Sequence, residues 1–215
     1  MNAKTETKKI IIFLPALAAC LPFASTDGTR AYLKSVYVHW RDGATACVST
    51  DGHRLCLAQS SPDGIDAVKE TLAVEPGDHE GIILTSADAK EIARWDVKKS
   101  VITAQHFATL EIKDNGKVVA KSWNGKFTRE CEAIDATYPD YQRTIPQDDR
   151  PLIGEPTGFN AVFLASILTV ARAGFSHKKS LSVTAHLHGS SNPAKFTMRN
   201  PDGDRATIVI MPMRV

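Results

Sequence analysis

One order of elements recurs three times along this 215-residue chain: a strand, a short helix, then a run of strands parted by tight turns. Such repetition restricts the fold more than any single motif does, because each passage is one amphipathic unit that must stack on its neighbours. In the first passage, 9–59, Ile10-Ile11-Ile12-Phe13 predicts a buried strand. A short helix follows over 15–24, with Pro15 in its first turn and Pro22 shortening or kinking it. Strands are expected over 31–41, 44–49 and 54–59, joined at Arg41-Asp42-Gly43 and Asp51-Gly52.

Residues 60–80 read as a linker, a surface loop with one helical turn, bounded by Ser-Pro-Asp-Gly and Glu-Pro-Gly-Asp. The second passage, 81–145, repeats the order: a strand over 81–84, a helix over 86–96 with Ser86 as N-cap, then strands over 100–104, 107–113, 117–123 and 126–133. Asp114-Asn115-Gly116 and Trp123-Asn124-Gly125 supply its hairpins. A polar connector leads to the third passage, a helix over 161–173 with Val162, Leu164, Ile167, Leu168 and Val170 near helical spacing, then strands over 180–188, 195–199 and 206–212. The predicted class is α+β with antiparallel sheets, divided into 1–145, holding two units, and 146–215, holding a third.

Composition narrows the function classes. The 26 basic and 24 acidic residues leave a net charge of +2, which neither demands nor excludes a nucleic-acid partner. Cys20, Cys47, Cys56 and Cys131 have no zinc-like spacing and read as buried thiols of a reducing compartment, although Cys47 and Cys56 can face each other across the first hairpin. Leu17-Ala18-Ala19-Cys20 after an apolar run also fits an exported lipoprotein's processing box, but the strand-then-helix reading is favoured. That apolar run is too short to span a bilayer. His186-x-His188 lacks a third ligand, Asp202-Gly203-Asp204 reads as a hairpin turn, and no phosphate loop, nucleophile elbow or paired-carboxylate motif is present. No metal or cofactor is expected, and a catalytic role has little support.

Four stretches remain that hairpins alone do not require: Gly28-Thr29-Arg30-Ala31-Tyr32-Leu33-Lys34, Ser49-Thr50-Asp51-Gly52-His53-Arg54-Leu55, Tyr138-Pro139-Asp140-Tyr141-Gln142-Arg143 and Val209-Ile210-Met211-Pro212-Met213-Arg214-Val215. In this order they closely resemble the β sliding clamps of the bacterial replicative DNA polymerase, DNA polymerase III. The resemblance runs from about Lys9 to Val215. It implies DNA-clamp units with sheets outside and helices inside. The first two units resemble the family's middle domain, and the third resembles the latter half of its last domain.

The resemblance also implies a cleft that accepts short Leu- or Phe-bearing motifs of polymerases, clamp loaders and repair proteins. Its matching residues are Arg30, Tyr32, Leu33, Thr50, Gly52, His53, Arg54 and Leu55 from the first unit. Pro139 and Arg143 follow from the connector, then Asn160 and Phe163 from the third helix. Val209, Met211, Pro212, Met213 and Arg214 complete it. Leu33, Leu55, Pro139, Val209 and Met211 would line an apolar pocket, with arginines bonding carbonyls or an acidic flank of the peptide.

Double-stranded DNA is a further expected partner, met without sequence reading through Lys90, Arg94, Lys98 and Lys99, and through Arg172, Lys178 and Lys179. The first helix, by contrast, has no basic residue. Two versions of the role stand side by side: a cytoplasmic processivity factor that closes a ring, as a homo-oligomer of four three-unit chains, or a clamp paralogue that forms no ring and competes for the clamp's partners.

Overall fold

The computed structural model describes residues 8–26, 30–72, 74, 81–96, 103–113, 117–147, 157–177 and 179–213. In the first passage the chain forms β1 (Lys8–Phe13), α1 (Leu14–Cys20), β2 (Ser35–Arg41), β3 (Ala44–Thr50) and β4 (Arg54–Gln59). It continues through α2 (Pro62–Leu72), β5 (Ile82–Thr85), α3 (Ser86–Ala93), β6 (Phe107–Ile112), β7 (Val118–Ser122) and β8 (Thr128–Cys131). The last part is α4 (Ala161–Val170), β9 (Thr184–His186), β10 (Ala194–Arg199) and β11 (Arg205–Ile210). The class is α+β, and every strand pairing is antiparallel.

Two sheets result, ordered β1-β6-β7-β8 and β5-β2-β3-β4-β11-β10-β9. The first two passages exchange strands. β1 leaves its own passage to pair with β6, from Lys8↔Ile112 to Phe13↔Phe107, while β5 pairs with β2, from Ser35↔Thr85 to Val38↔Ile82. Neither passage can therefore satisfy its backbone alone. The third passage joins by extending the larger sheet, β11 pairing with β4 from Arg54↔Ile210 to Gln59↔Arg205.

α1 sits at the centre. Its Leu14, Pro15, Ala16, Leu17, Ala19 and Cys20 are buried against β3, β4, α3 and α4. Burying each leucine fully stabilises by roughly 1.5–3 kcal/mol. Pro15 presets its first turn, and Pro22, having no N–H to donate, turns its end into the short 3₁₀ segment Leu21–Phe23. The opposite face of the larger sheet carries a second, smaller core of Ala46, Val48, Leu55, Leu57, Ile83, Tyr138, Tyr141 and Val209.

Several expectations are corrected. The linker 60–80 contains an eleven-residue helix, α2, that buries Ile65, Val68 and Leu72. Ser61 Oγ accepts the Gly64 N–H at 3.1 Å, so Ser61-Pro62 opens this helix. Residues Ala31–Lys34 form a 3₁₀ turn before β2 and not its first turn of strand. Thr85, not Ser86, caps α3 by accepting the Asp88 N–H, while Ser86 Oγ donates to the Lys34 carbonyl at 2.6 Å.

Of the strand expected over 100–104, residues 100–102 lie outside the described residues, and Ala104–His106 is a 3₁₀ turn. The strand before α4 reduces to one bridge, Gly158↔Met213. The four cysteines are free and buried. Cys47 lies opposite Ala58 and Cys56 opposite Ser49, so the two do not face each other, and the Cys20 thiol is directed at both their carbonyls.

Candidate functional site

The described parts of the four stretches singled out in the sequence, 30–34, 49–55, 138–143 and 209–213, converge where β4 meets β11, and residues 28–29 and 214–215 lie outside the described residues. Asp51-Gly52 turns the chain between β3 and β4, with Gly52 at φ +90°, a region that disfavours any side chain. Asp51 Oδ1 accepts the His53 and Arg54 N–H groups, both at 3.0 Å, and Thr50 Oγ1 donates to the Arg54 carbonyl at 2.8 Å. The turn therefore presents the His53 carbonyl outward, and the Met211 N–H donates to it at 2.9 Å. The Met213 N–H donates to the Gly158 carbonyl at 2.9 Å, which seats the tail between the hairpin and the start of α4.

Arg54 is the hub of this corner. Its guanidinium pairs with Asp51 Oδ2 at 2.9 Å, donates to the Pro22 carbonyl at 2.7 Å, and lies between the Phe23 and Phe163 rings, 5.0 and 4.8 Å from their centroids. Those contacts engage Nε and Nη2 of the guanidinium. Phe163 also stacks on His53 at 6.3 Å, and Asn160 Oδ1 caps α4 by accepting the Val162 N–H at 2.9 Å. Arg54, Asn160 and Phe163, all half-buried, thus hold the corner together.

The exposed members differ in kind. Met211 and Met213 are 42% and 50% exposed, and Arg30, Gly52, His53, Pro139 and Arg143 are exposed as well. Arg143 pairs with Asp140 at 2.8 Å. Leu55 and Val209, opposite each other in the β4–β11 register, are 4% and 3% exposed and form the floor beside Tyr138 and Tyr141, with Tyr32 packed against the same cluster. Pro212 is half-buried. Arg30, Leu33, His53 and Arg54 also line a cavity of about 480 Å³ with Pro22, Ala24, Ser25, Thr26 and Asp51. This side of the corner is more polar than the expected apolar pocket.

Of the expected DNA contacts, Lys90 and Arg94 are exposed on or beside α3, and Arg172 and Lys179 are exposed after α4. α3 and α4 both pack on α1, so these cations flank a helix that has none. Arg94 pairs with Glu91. Lys98, Lys99, Lys178 and Arg214 lie outside the described residues. His186 Nε2 is 3.4 Å from Thr197 Oγ1 and His188 is buried; among the described residues no group of three His, Cys, Asp or Glu side chains is placed to hold a metal. Among the described residues no helix is long and apolar enough to cross a membrane.

A clasp that the sequence reading missed holds the Tyr138–Arg143 stretch to the sheet. Tyr37 and His39 alternate onto the outer face of β2 and stack at 4.8 Å, and Tyr138 stacks on Tyr37 at 4.8 Å. Arg41 Nη1 donates to the Tyr141 hydroxyl at 3.0 Å, which donates to His39 Nε2 at 3.0 Å, while His39 Nδ1 donates to the Trp40 carbonyl at 3.0 Å.

Burial, with Arg41 nearby, holds the His39 imidazole below its ordinary 6.5, against the opposing pull of the Trp40 carbonyl and Asp42. A proton on Nε2 would meet a hydroxyl already accepting from Arg41. The folded protein therefore binds this proton less readily than the unfolded chain, and stability falls as pH drops below about 6.5 until the depressed folded pKa is passed. Thermal melts at pH 7.5 and 5.0 should show a larger loss for the wild type than for His39→Gln. Equal losses would remove His39 as the cause.

No protein-family model matches the chain. It is 30% identical to the β sliding clamp of Rickettsia bellii over 124 residues, 58% of this chain and 29% of that one. It is 28% identical to the β sliding clamp of Caulobacter vibrioides over 187 residues, 85% and 43% of the two chains. In structure it is similar to the DNA polymerase III subunit beta from Pseudomonas aeruginosa, with a TM-score of 0.69 and 17% identity over 100% of this chain and 68% of that one. The chain spans less than half the length of these curated relatives.

Proposed function

We propose that this chain, a relative of the bacterial β sliding clamps with their α+β fold, docks short Leu- or Phe-bearing motifs of replication and repair proteins and has no catalytic role. The supporting observation is the Met211–His53 hydrogen bond beside the Leu55–Val209 pair, which brings the first hairpin and the carboxyl-terminal tail to one corner of the sheet. Met211 and Met213 are the adaptable apolar contacts, and Arg30 and Arg143 the exposed cations for backbone carbonyls or an acidic flank. Residues 1–145 act as the two-unit domain and 146–215 as the third unit, joined through β4 and β11.

A fluorescent peptide carrying such a motif should bind with a dissociation constant near micromolar, about −8 kcal/mol. Removing residues 211–215 should weaken it at least tenfold, because a few groove residues carry most of the affinity. Unchanged affinity in fluorescence polarisation would reject the site.

In the fuller form of this reading, four chains close a cytoplasmic ring on double-stranded DNA through Lys90, Arg94, Arg172 and Lys179, together with Lys98, Lys99 and Lys178, and tether a polymerase delivered by a clamp loader. Sedimentation of the tetramer with and without duplex DNA tests that form. The second version, a clamp paralogue that forms no ring and competes for partner motifs, is the outcome if the chain stays monomeric with and without duplex DNA.

A further inference from the structure

α4 is apolar on every side, AVFLASILTV, a composition that belongs inside a protein. One side is inside: Phe163, Ser166, Ile167 and Val170 face α1, β11 and the core. The other is bare. Ala161, Ala165, Leu168 and Arg172 recur at helical spacing opposite that buried face and are exposed, with Leu168 at 42%, flanked by Val162 at 70% and Leu164 at 37%.

The first two passages show how this fold covers such a face. There the helices α1 and α3 pack on each other, and the strand before each helix pairs with the first strand described after the other. In the third passage the corresponding strand is β9, which among the described residues pairs with β10 alone, and Val183 just before it is 41% exposed. Helix face and sheet edge are open together.

We infer that a second copy of this chain covers this face, with α4 packed antiparallel on its counterpart about a two-fold axis. The seam is self-complementary in that arrangement. With the axis between residues 165 and 168, each Ala165 receives the partner's Leu168, small against large, which permits close helix approach. Each Arg172 then lies beside the partner's Ala161, so the two guanidiniums sit at opposite ends. A parallel pair would bring them together. One helix face and a three-residue strand fall short of the roughly 20 residues per side of a standard interface, so the association is weak, of about micromolar order. This inference refines the assembly part of the proposed function and is independent of peptide docking.

Sedimentation equilibrium from 1 to 200 µM of the full chain tests it. The wild type should rise from the 23.4 kDa monomer to a higher mass, and Leu168→Glu, at an exposed position, should raise the self-dissociation constant at least tenfold without moving the melting temperature or peptide affinity. Mixed Ala165→Cys and Leu168→Cys proteins, oxidised with copper phenanthroline, should form the mixed disulfide in excess of either homodisulfide; the native thiols are buried and stay out of the reaction. A wild type that remains monomeric at 200 µM overturns the inference. So does association equal in Leu168→Glu, or a face that binds a full-length β clamp and not a second copy. Failure of peptide binding in proteins that associate as described would count against the docking role alone.

Discussion

Arg54→Ala is expected to cost about 2–4 kcal/mol of folding stability, more than its position on a hairpin rim suggests. A surface arginine is ordinarily worth under 1 kcal/mol. This one is 14% exposed, its partner Asp51 16%, and its loss strands three groups at once. Asp51 keeps its two backbone donors but loses its counter-ion, the Pro22 carbonyl loses its donor, and Phe23 and Phe163 lose the plane between them. Leaving buried polar groups unpaired accounts for most of that cost. Arg54→Lys should recover little, since an ammonium can neither fork between Asp51 and Pro22 nor stack between two rings. Urea denaturation of both variants checks the outcome; a change in either below 0.5 kcal/mol would mean that the hub is decorative. Peptide affinity should fall in parallel, because Phe163 and the hairpin lose their common support.

Phe13→Ala is expected to cost about 3–5 kcal/mol, the range for emptying a closed core of an aromatic ring. Phe13 ends β1, is 1% exposed, and meets Phe107 at 5.0 Å and Phe175 edge-on at 6.0 Å. The three rings come from the three passages. Phe175 arrives there because α4 runs into a widened turn, Ala171–Phe175, broken by Gly174 at φ +112°. The cavity would therefore loosen the third passage along with the strand exchange, and the denaturation slope should fall with the midpoint as cooperativity is lost. Phe127→Ala is the control. That ring is 47% exposed against Trp95, and its removal should stay near 0.5 kcal/mol.

Local features were open to reading from the chain alone. Asp51-Gly52 is a turn because glycine tolerates positive φ and aspartate bonds its own backbone. Ile10 to Phe13 is a strand because four large apolar residues in a row before a proline have few other uses. The helix over 62–72 was hidden by Pro62 and Gly64, which punctuate loops, and by charges between Ile65, Val68 and Leu72. The Ser61-Pro62 cap was the signal that would have found it. Among site residues, the converging stretches were legible because a known family shares them.

Their division into floor, scaffold and exposed rim was not. How Arg54 is held depends on a proline 32 residues earlier and a phenylalanine 109 residues later. The chain's local chemistry settles where it turns, which segments extend or coil, and which faces must leave water, since those follow from neighbours a few residues apart. Partnership is another matter. The exchange of β1 and β5, the alliance of β4 with β11, and the bare side of α4 arise from competition among many apolar surfaces for the same few contacts, and that contest is resolved only when all of them are packed at once.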